Sequence, residues 1–223
     1  MRRTAFIPRT QRLIFDRGDE LARIQVGGRL SLAEARNYVI AVLKDASDMA
    51  LQRGAEPATR GGPAAVLGDI MGPSGKPRTE REKIDDKTAE LAGKDREQVI
   101  LANSWFNAFL GEPVLVQLVI KNNPVIYKAG QVVIETRFDG QKSEEQIVKA
   151  LTDFLNANIA AKAVRDGMIP AVGTSQPLGS FDSDATLSLV REVQSVNRVI
   201  RVQFLAAFET RAADQLKLEF RLR

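Results

Sequence analysis

Histidine and cysteine are both absent from the 223 residues. That double absence excludes disulfides, thiolate nucleophiles, Cys/His zinc sites and every acid-base arrangement that runs through an imidazole. Catalysis would fall to carboxylates, Ser/Thr, Lys, Tyr or a metal held by oxygen ligands. Long apolar runs are missing too. No stretch approaches the roughly 18 uncharged apolar residues that a membrane span requires, and Met1-Arg2-Arg3 is not followed by a signal-like apolar segment. The chain as given reads as cytoplasmic, without membrane insertion, and the lack of cysteine permits a reducing compartment.

A strong charge of one sign is also lacking. Lysine plus arginine number 32 against 28 acids, a formal net charge of +4, which is weak as a signal for a polyanion partner. The excess is uneven, because Arg2, Arg3, Arg9, Arg12, Arg17, Arg23 and Arg29 precede Leu30 and face only Asp16, Asp19 and Glu20. With 44% hydrophobic residues, the chain is long enough to bury one generous core or two modest ones.

What is present is a pattern that occurs twice. Leu13–Phe15 and Asp19–Val26 read as two short strands of a hairpin, with Gly18 supplying the bend. Ser31-Leu32-Ala33-Glu34 then has the form of a capping box, and Val39, Leu43, Ala46 and Ala50 recur at helical spacing, predicting a helix to about Arg53. Adding 112 to each number brings Ile14 to Ile126, Phe15 to Tyr127, Gly18 to Gly130, Gly28 to Gly140 and Ser31 to Ser143, with no gap out to Arg165. Beyond the helix the offset becomes 102, so that Phe106 meets Phe208, Val114 meets Leu216 and Leu118 meets Phe220. Alternation in VLVQLVI and LKLEFRL favours half-buried strands. The expected architecture is α+β: two tandem pseudo-symmetric hairpin-helix-hairpin repeats, 1–121 and 122–223, each with a short extra helix, together forming one compact domain.

Each copy has a variable connection. Residues 56–79 are dense in Gly and Pro and read as an irregular loop, followed by a charged helix over 82–91. In the second copy, 167–183 is the loop and 185–193 the helix.

Few motifs carry chemistry. Gly72-Pro73-Ser74-Gly75-Lys76 has the outline of a phosphate-gripping loop or of a nucleic-acid-clamping GxxG, but Met71 and Pro77 stand where a P-loop needs Gly and Ser/Thr, and two prolines oppose the following helix. It reads as a flexible basic loop. Asp16 beside Gly18, with Asp182 and Asp184, resembles the carboxylates of a two-metal nuclease; the duplication puts Lys128 opposite Asp16, and turn or cap roles account for these residue types. Trp105, Phe106 and Phe109 form an aromatic cluster suited to core packing, to base stacking or to a partner's pocket.

Gly111-Glu112-Pro113-Val114, the run from Val125 to Ile134, Gly167-Met168-Ile169-Pro170 and Asp214-Gln215-Leu216-Lys217-Leu218 resemble a bacterial family known as a domain of unknown function. Its members have N-terminal membrane segments, a long coiled coil and a C-terminal globular domain. The resemblance covers nearly the whole chain through packing and turn residues. It implies a scaffold or interaction domain at the end of a coiled-coil spacer, tethered to the inner membrane in a full-length relative, and it supplies no catalytic residues.

The expected function is therefore a non-enzymatic interaction or scaffold domain with a protein partner and no cofactor. The alternative is weak, sequence-independent nucleic-acid binding through Arg12, Arg17, Arg29, Lys76, Arg78 and Arg81, extended to a metal-dependent nuclease if Asp16, Asp182 and Asp184 come together. The acids Glu80, Glu82, Asp85 and Asp86 that follow the loop weaken such a field.

Overall fold

A computed structural model describes residues 11–68, 78–173, 178–181 and 183–223. The chain divides into two compact units, Met1–Asn122 with Val172–Thr174, and Asn123–Ala171 with Ser175–Arg223. Each mixes helices and sheets, so the fold is α+β, and each has an apolar core of its own. Among the described residues, no helix is long and apolar enough to cross a membrane.

In unit 1 the chain runs β1 (Leu13–Phe15), β2 (Glu20–Val26), α1 (Leu32–Gln52), β3 (Ala65–Leu67), α2 (Glu80–Ala92), β4 (Gln98–Ser104), β5 (Ala108–Phe109) and β6 (Val114–Asn122). The main sheet has the order β2-β4-β6-β3, and β1 pairs with β5 in a small second sheet. The Ser31 capping box forms as expected, its hydroxyl accepting from the Glu34 N–H while Glu34 reaches back to the Ser31 N–H. Helix α1 buries Ala35, Val39, Val42, Ala46 and Ala50, small side chains that let it lie close over the sheet.

Unit 2 follows with β7 (Val125–Tyr127), β8 (Val132–Asp139), α3 (Glu144–Phe154), a π-helical turn (Leu155–Ile159), α4 (Ala160–Asp166), α5 (Ser183–Val196), β9 (Val199–Ala206), β10 (Thr210–Arg211) and β11 (Leu218–Leu222). Its main sheet has the order β11-β9-β8, and β10 pairs with β7. Here the space beneath the helix is filled by rings instead of alanines: Phe204 contacts Phe138, Phe154 and Phe181 at centroid distances of 6.4, 5.4 and 5.6 Å.

Backbone hydrogen bonds recur at the two offsets. Gly18 donates to the Ser104 carbonyl at 2.7 Å and Gly130 to that of Ala206 at 2.8 Å. Leu110 donates to Arg12 and Ala212 to Pro124, both at 2.9 Å. Even the parallel pairing of β3 with β6, which sets Val66 against Leu115, has a counterpart in the parallel bridge of Ser180 with Lys217.

Three sequence expectations need correction. First, Leu13–Phe15 and Glu20–Val26 are not the two arms of a hairpin, because β1 pairs with β5 and β2 with β4. The turn at Asp16–Asp19, with Gly18 at φ +92°, hands the chain from one sheet to the other. Gly18 and Asp19 exchange hydrogen bonds with Ser104, which seats β2 beside β4. Gly130, at φ +73°, serves β7 and β8 in the same way. Second, the Gly/Pro-rich connection contains a strand, Ala65–Leu67, held by β6. Third, the gapless offset of 112 does not extend to Arg165. The π turn admits one extra residue, after which Gly54 at φ +93° matches Gly167 at φ +112°, an offset of 113.

Candidate functional site

The one tryptophan stands at the wall of a depression of about 220 Å³ between α2 and the β3–β6 edge. Leu67, Val116 and Leu118 give it an apolar base, while Lys83, Lys87 and Asp86 of α2 line its side. The cations are engaged: Lys83 Nζ donates to the Leu67 carbonyl at 2.8 Å, and Lys87 pairs with Glu90 at 2.8 Å. Helix α2 itself starts at a second capping box, Thr79 with Glu82, unread in the sequence.

The arginines expected to meet a polyanion are dispersed within unit 1. Arg12 and Arg17 are exposed near β1 and β5, where the Arg12 carbonyl accepts from Leu110 and the Arg17 N–H donates to Asn107 Oδ1. Arg29 lies past the far end of β2, its N–H bonded to the Lys94 carbonyl at 2.8 Å. Seven residues of strand at about 3.3 Å each put roughly 20 Å between the Arg17 end and the Arg29 end. Arg78 pairs with Asp86, and Arg81 lies 3.8 Å from Asp85, so the interleaved acids do take up this charge. Lys76, with the rest of the Gly72–Lys76 motif, lies outside the described residues.

For the metal reading, Asp16 sits in the β1–β2 turn and Asp184 in the first turn of α5, while Asp182 lies outside the described residues. Among the described residues, no group of three or more Asp or Glu could hold a metal ion. Asp19 Oδ2 accepts from the Asp16 N–H at 2.9 Å, and Gln131 Oε1 does the same for Lys128 at 3.0 Å. Unit 2 thus has the same turn-closing bond without the acid.

Two groups with clearly shifted ionisation, Tyr127 and Asp166, bind one element to another. Tyr127, 2% exposed, donates its hydroxyl to Asp166 Oδ2 at 2.6 Å. Burial, together with the hydrogen bond to Asp166 and its charge, pushes the phenol up. Burial alone would raise the Asp166 carboxyl, but hydrogen bonds from Lys162 and Tyr127 and the charges of Lys162 and Arg165 hold it below its ordinary value. Glu34 is likewise lowered by the Ser31 hydrogen bonds of the cap.

One feature of the aromatic cluster was missed in the sequence. Phe106 is not core: it is 52% exposed, and its equivalent Phe208 is 64% exposed. Both sit directly after the long central strand of their unit, and each turn is pinned by a hydroxyl. Ser104 Oγ donates to the Phe106 carbonyl at 2.6 Å and Thr210 Oγ1 to the Phe208 carbonyl at 3.0 Å. The pairing of the two phenylalanines at an offset of 102 was legible, whereas their exposure depends on which side of the turn meets solvent.

No family model, no curated protein and no solved structure matches the chain.

Proposed function

We propose that the chain is a non-enzymatic interaction domain, arisen by duplication, that engages a protein partner through one outward-held phenylalanine in each unit. The observation that carries this reading is the matched exposure of Phe106 and Phe208. A single exposed apolar side chain is ordinary; the same large ring left in water at equivalent positions, on turns fixed by side-chain hydrogen bonds, is costly unless it has a use. Rigid aromatic anchors are what interface hot spots are made of. Trp105 stacks beside Phe106 at 5.1 Å, and Ala207 takes its place next to Phe208, so the two anchors suit different pockets. The likeness to the spacer-borne bacterial domains supports the same reading, with this domain at the tip of a coiled coil.

The test is capture of partners from nuclease-treated lysate by the wild-type chain and by F106A, F208A and the double variant. Each single change should weaken capture by about 2 kcal/mol, the usual scale for an aromatic anchor, and the double variant should abolish it. Because both rings are exposed, melting should be unchanged within about 0.5 kcal/mol. A partner retained by the double variant refutes the proposal.

A further inference from the structure

One side of the unit 2 sheet carries a row of exposed, like-charged side chains at its Arg201 end. Arg137 of β8 stands directly opposite Arg201 of β9. Arg201 and Arg223 exchange both backbone hydrogen bonds, 2.8 and 3.3 Å, which sets Arg223 on the other flank. Three arginines therefore lie side by side across three strands, at a strand spacing of about 4.8 Å. Arg221 is one place along the same face, opposite Gln203. All four are exposed. Arg137, Arg201 and Arg223 border a shallow depression of about 500 Å³ that also takes in Val199 and Ile200.

Like charges directly opposite on neighbouring strands destabilise a sheet, and the acids on this face, Glu135 and Glu219, are outnumbered by its four arginines. Glu135 is shared between Arg201, at 3.1 Å, and the Gln203 amide, at 2.8 Å. Asp139 Oδ1 accepts from the Gln141 N–H. The side chains of Arg137, Arg221 and Arg223 make no hydrogen bond or ion pair to the described residues. A local rule broken with only Arg201 paired to an acid marks a place where an external group supplies the balance.

We propose that Arg137, Arg201, Arg221 and Arg223 bind consecutive phosphates of a single-stranded nucleic acid. Guanidinium forks match phosphate oxygens in pairs. Phosphates rise about 3.4 Å per nucleotide in a stacked strand and separate further when it is stretched, so a row at about 4.8 Å spacing falls within reach. Carboxylates on one face of an extended peptide repeat at about 6.6 Å and do not keep step with it. No aromatic ring borders the depression, so contact is to the backbone and is independent of base sequence. This site is separate from the phenylalanine anchors, and either can fail without the other.

The experiment is fluorescence anisotropy of a labelled twelve-nucleotide thymidine oligomer titrated with the full chain between 50 and 200 mM salt. Four phosphate contacts on a single strand give a slope near −2.8, or about 50-fold weaker binding over that range. R137Q/R223Q should cut this to about sevenfold and weaken binding at low salt, with helical circular dichroism retained. R12E/R17E and F106A/F208A should bind as the wild type does. The proposal is overturned if the wild type does not bind, if R137Q/R223Q keeps the full salt dependence, if R12E/R17E removes binding, or if a twelve-residue polyglutamate competes as well as unlabelled oligonucleotide.

Discussion

A Cβ placed on Gly68 would stand 1.9 Å from Cε3 of Trp105. The benzo ring of the indole packs against the backbone at the end of β3, where the Gly68 N–H donates to the Val116 carbonyl at 2.9 Å. Gly68→Ala must therefore displace the ring or part β3 from β6, an overpacking that costs about 1–3 kcal/mol. Since the chain has one tryptophan, its emission reports the event directly. The expected outcome is a red-shifted spectrum with a lowered melting point; an unchanged spectrum would mean the ring does not pack here.

The Tyr127–Asp166 bond should give stability a dependence on pH at both ends. Asp166 is held below its ordinary value of 3.8, so its contribution is complete above that value and is lost as pH falls through the lowered one. Tyr127 is raised above 10.0, so its contribution is complete below pH 10 and is lost as pH rises through the raised one. Tyr127→Phe should cost about 1.5–3 kcal/mol at neutral pH, the loss of one hydrogen bond to a charged group. It should also flatten the alkaline limb, while Lys162 preserves part of the acid limb. Urea denaturation at pH 3, 7 and 11 separates these effects; an alkaline limb identical in both proteins would rule the coupling out.

Much of the local structure was legible because it is written in short range. Ser31 with Glu34, and Ser143 with Gln146, announce their helices through bonds that span three residues. The strand periods of Val114–Asn122 and Leu218–Leu222 follow from alternation. Pairing was not legible, because β1 meets β5 across more than ninety residues, and nothing near Leu13 states which strand will lie beside it. The arginine row escaped for the same reason. Arg137, Arg201 and Arg223 are 64 and 22 residues apart and form a row only once register is fixed. By contrast, the basic N-terminal stretch is conspicuous in sequence, yet Arg17 and Arg29 go to opposite ends of one strand.

The π turn yields the sharpest prediction. In α1 the buried positions Val42, Ala46 and Ala50 follow ordinary helical spacing. In unit 2 the corresponding burial falls on Ile159 and Ala163, one position later than an offset of 112 would place it, and Leu155–Ile159 widens into a π turn to absorb the extra residue. Deleting Ala157, which is exposed, leaves Ile147, Leu151, Phe154 and the shifted Ile159 and Ala163 at spacings that a regular α-helix brings onto one face. The deletion should be tolerated, with a stability change of no more than about 1 kcal/mol, the scale of an ordinary point change. Deleting Asp45 from α1 is the control. There no surplus residue exists, so the cut rotates Ala46 and Ala50 by about 100° out of the core and should cost more than about 4 kcal/mol, the range reserved for gross disruption. Thermal melts of the two deletions decide the matter: equal damage from both would show that the π turn is required by its surroundings and is not an absorbed insertion.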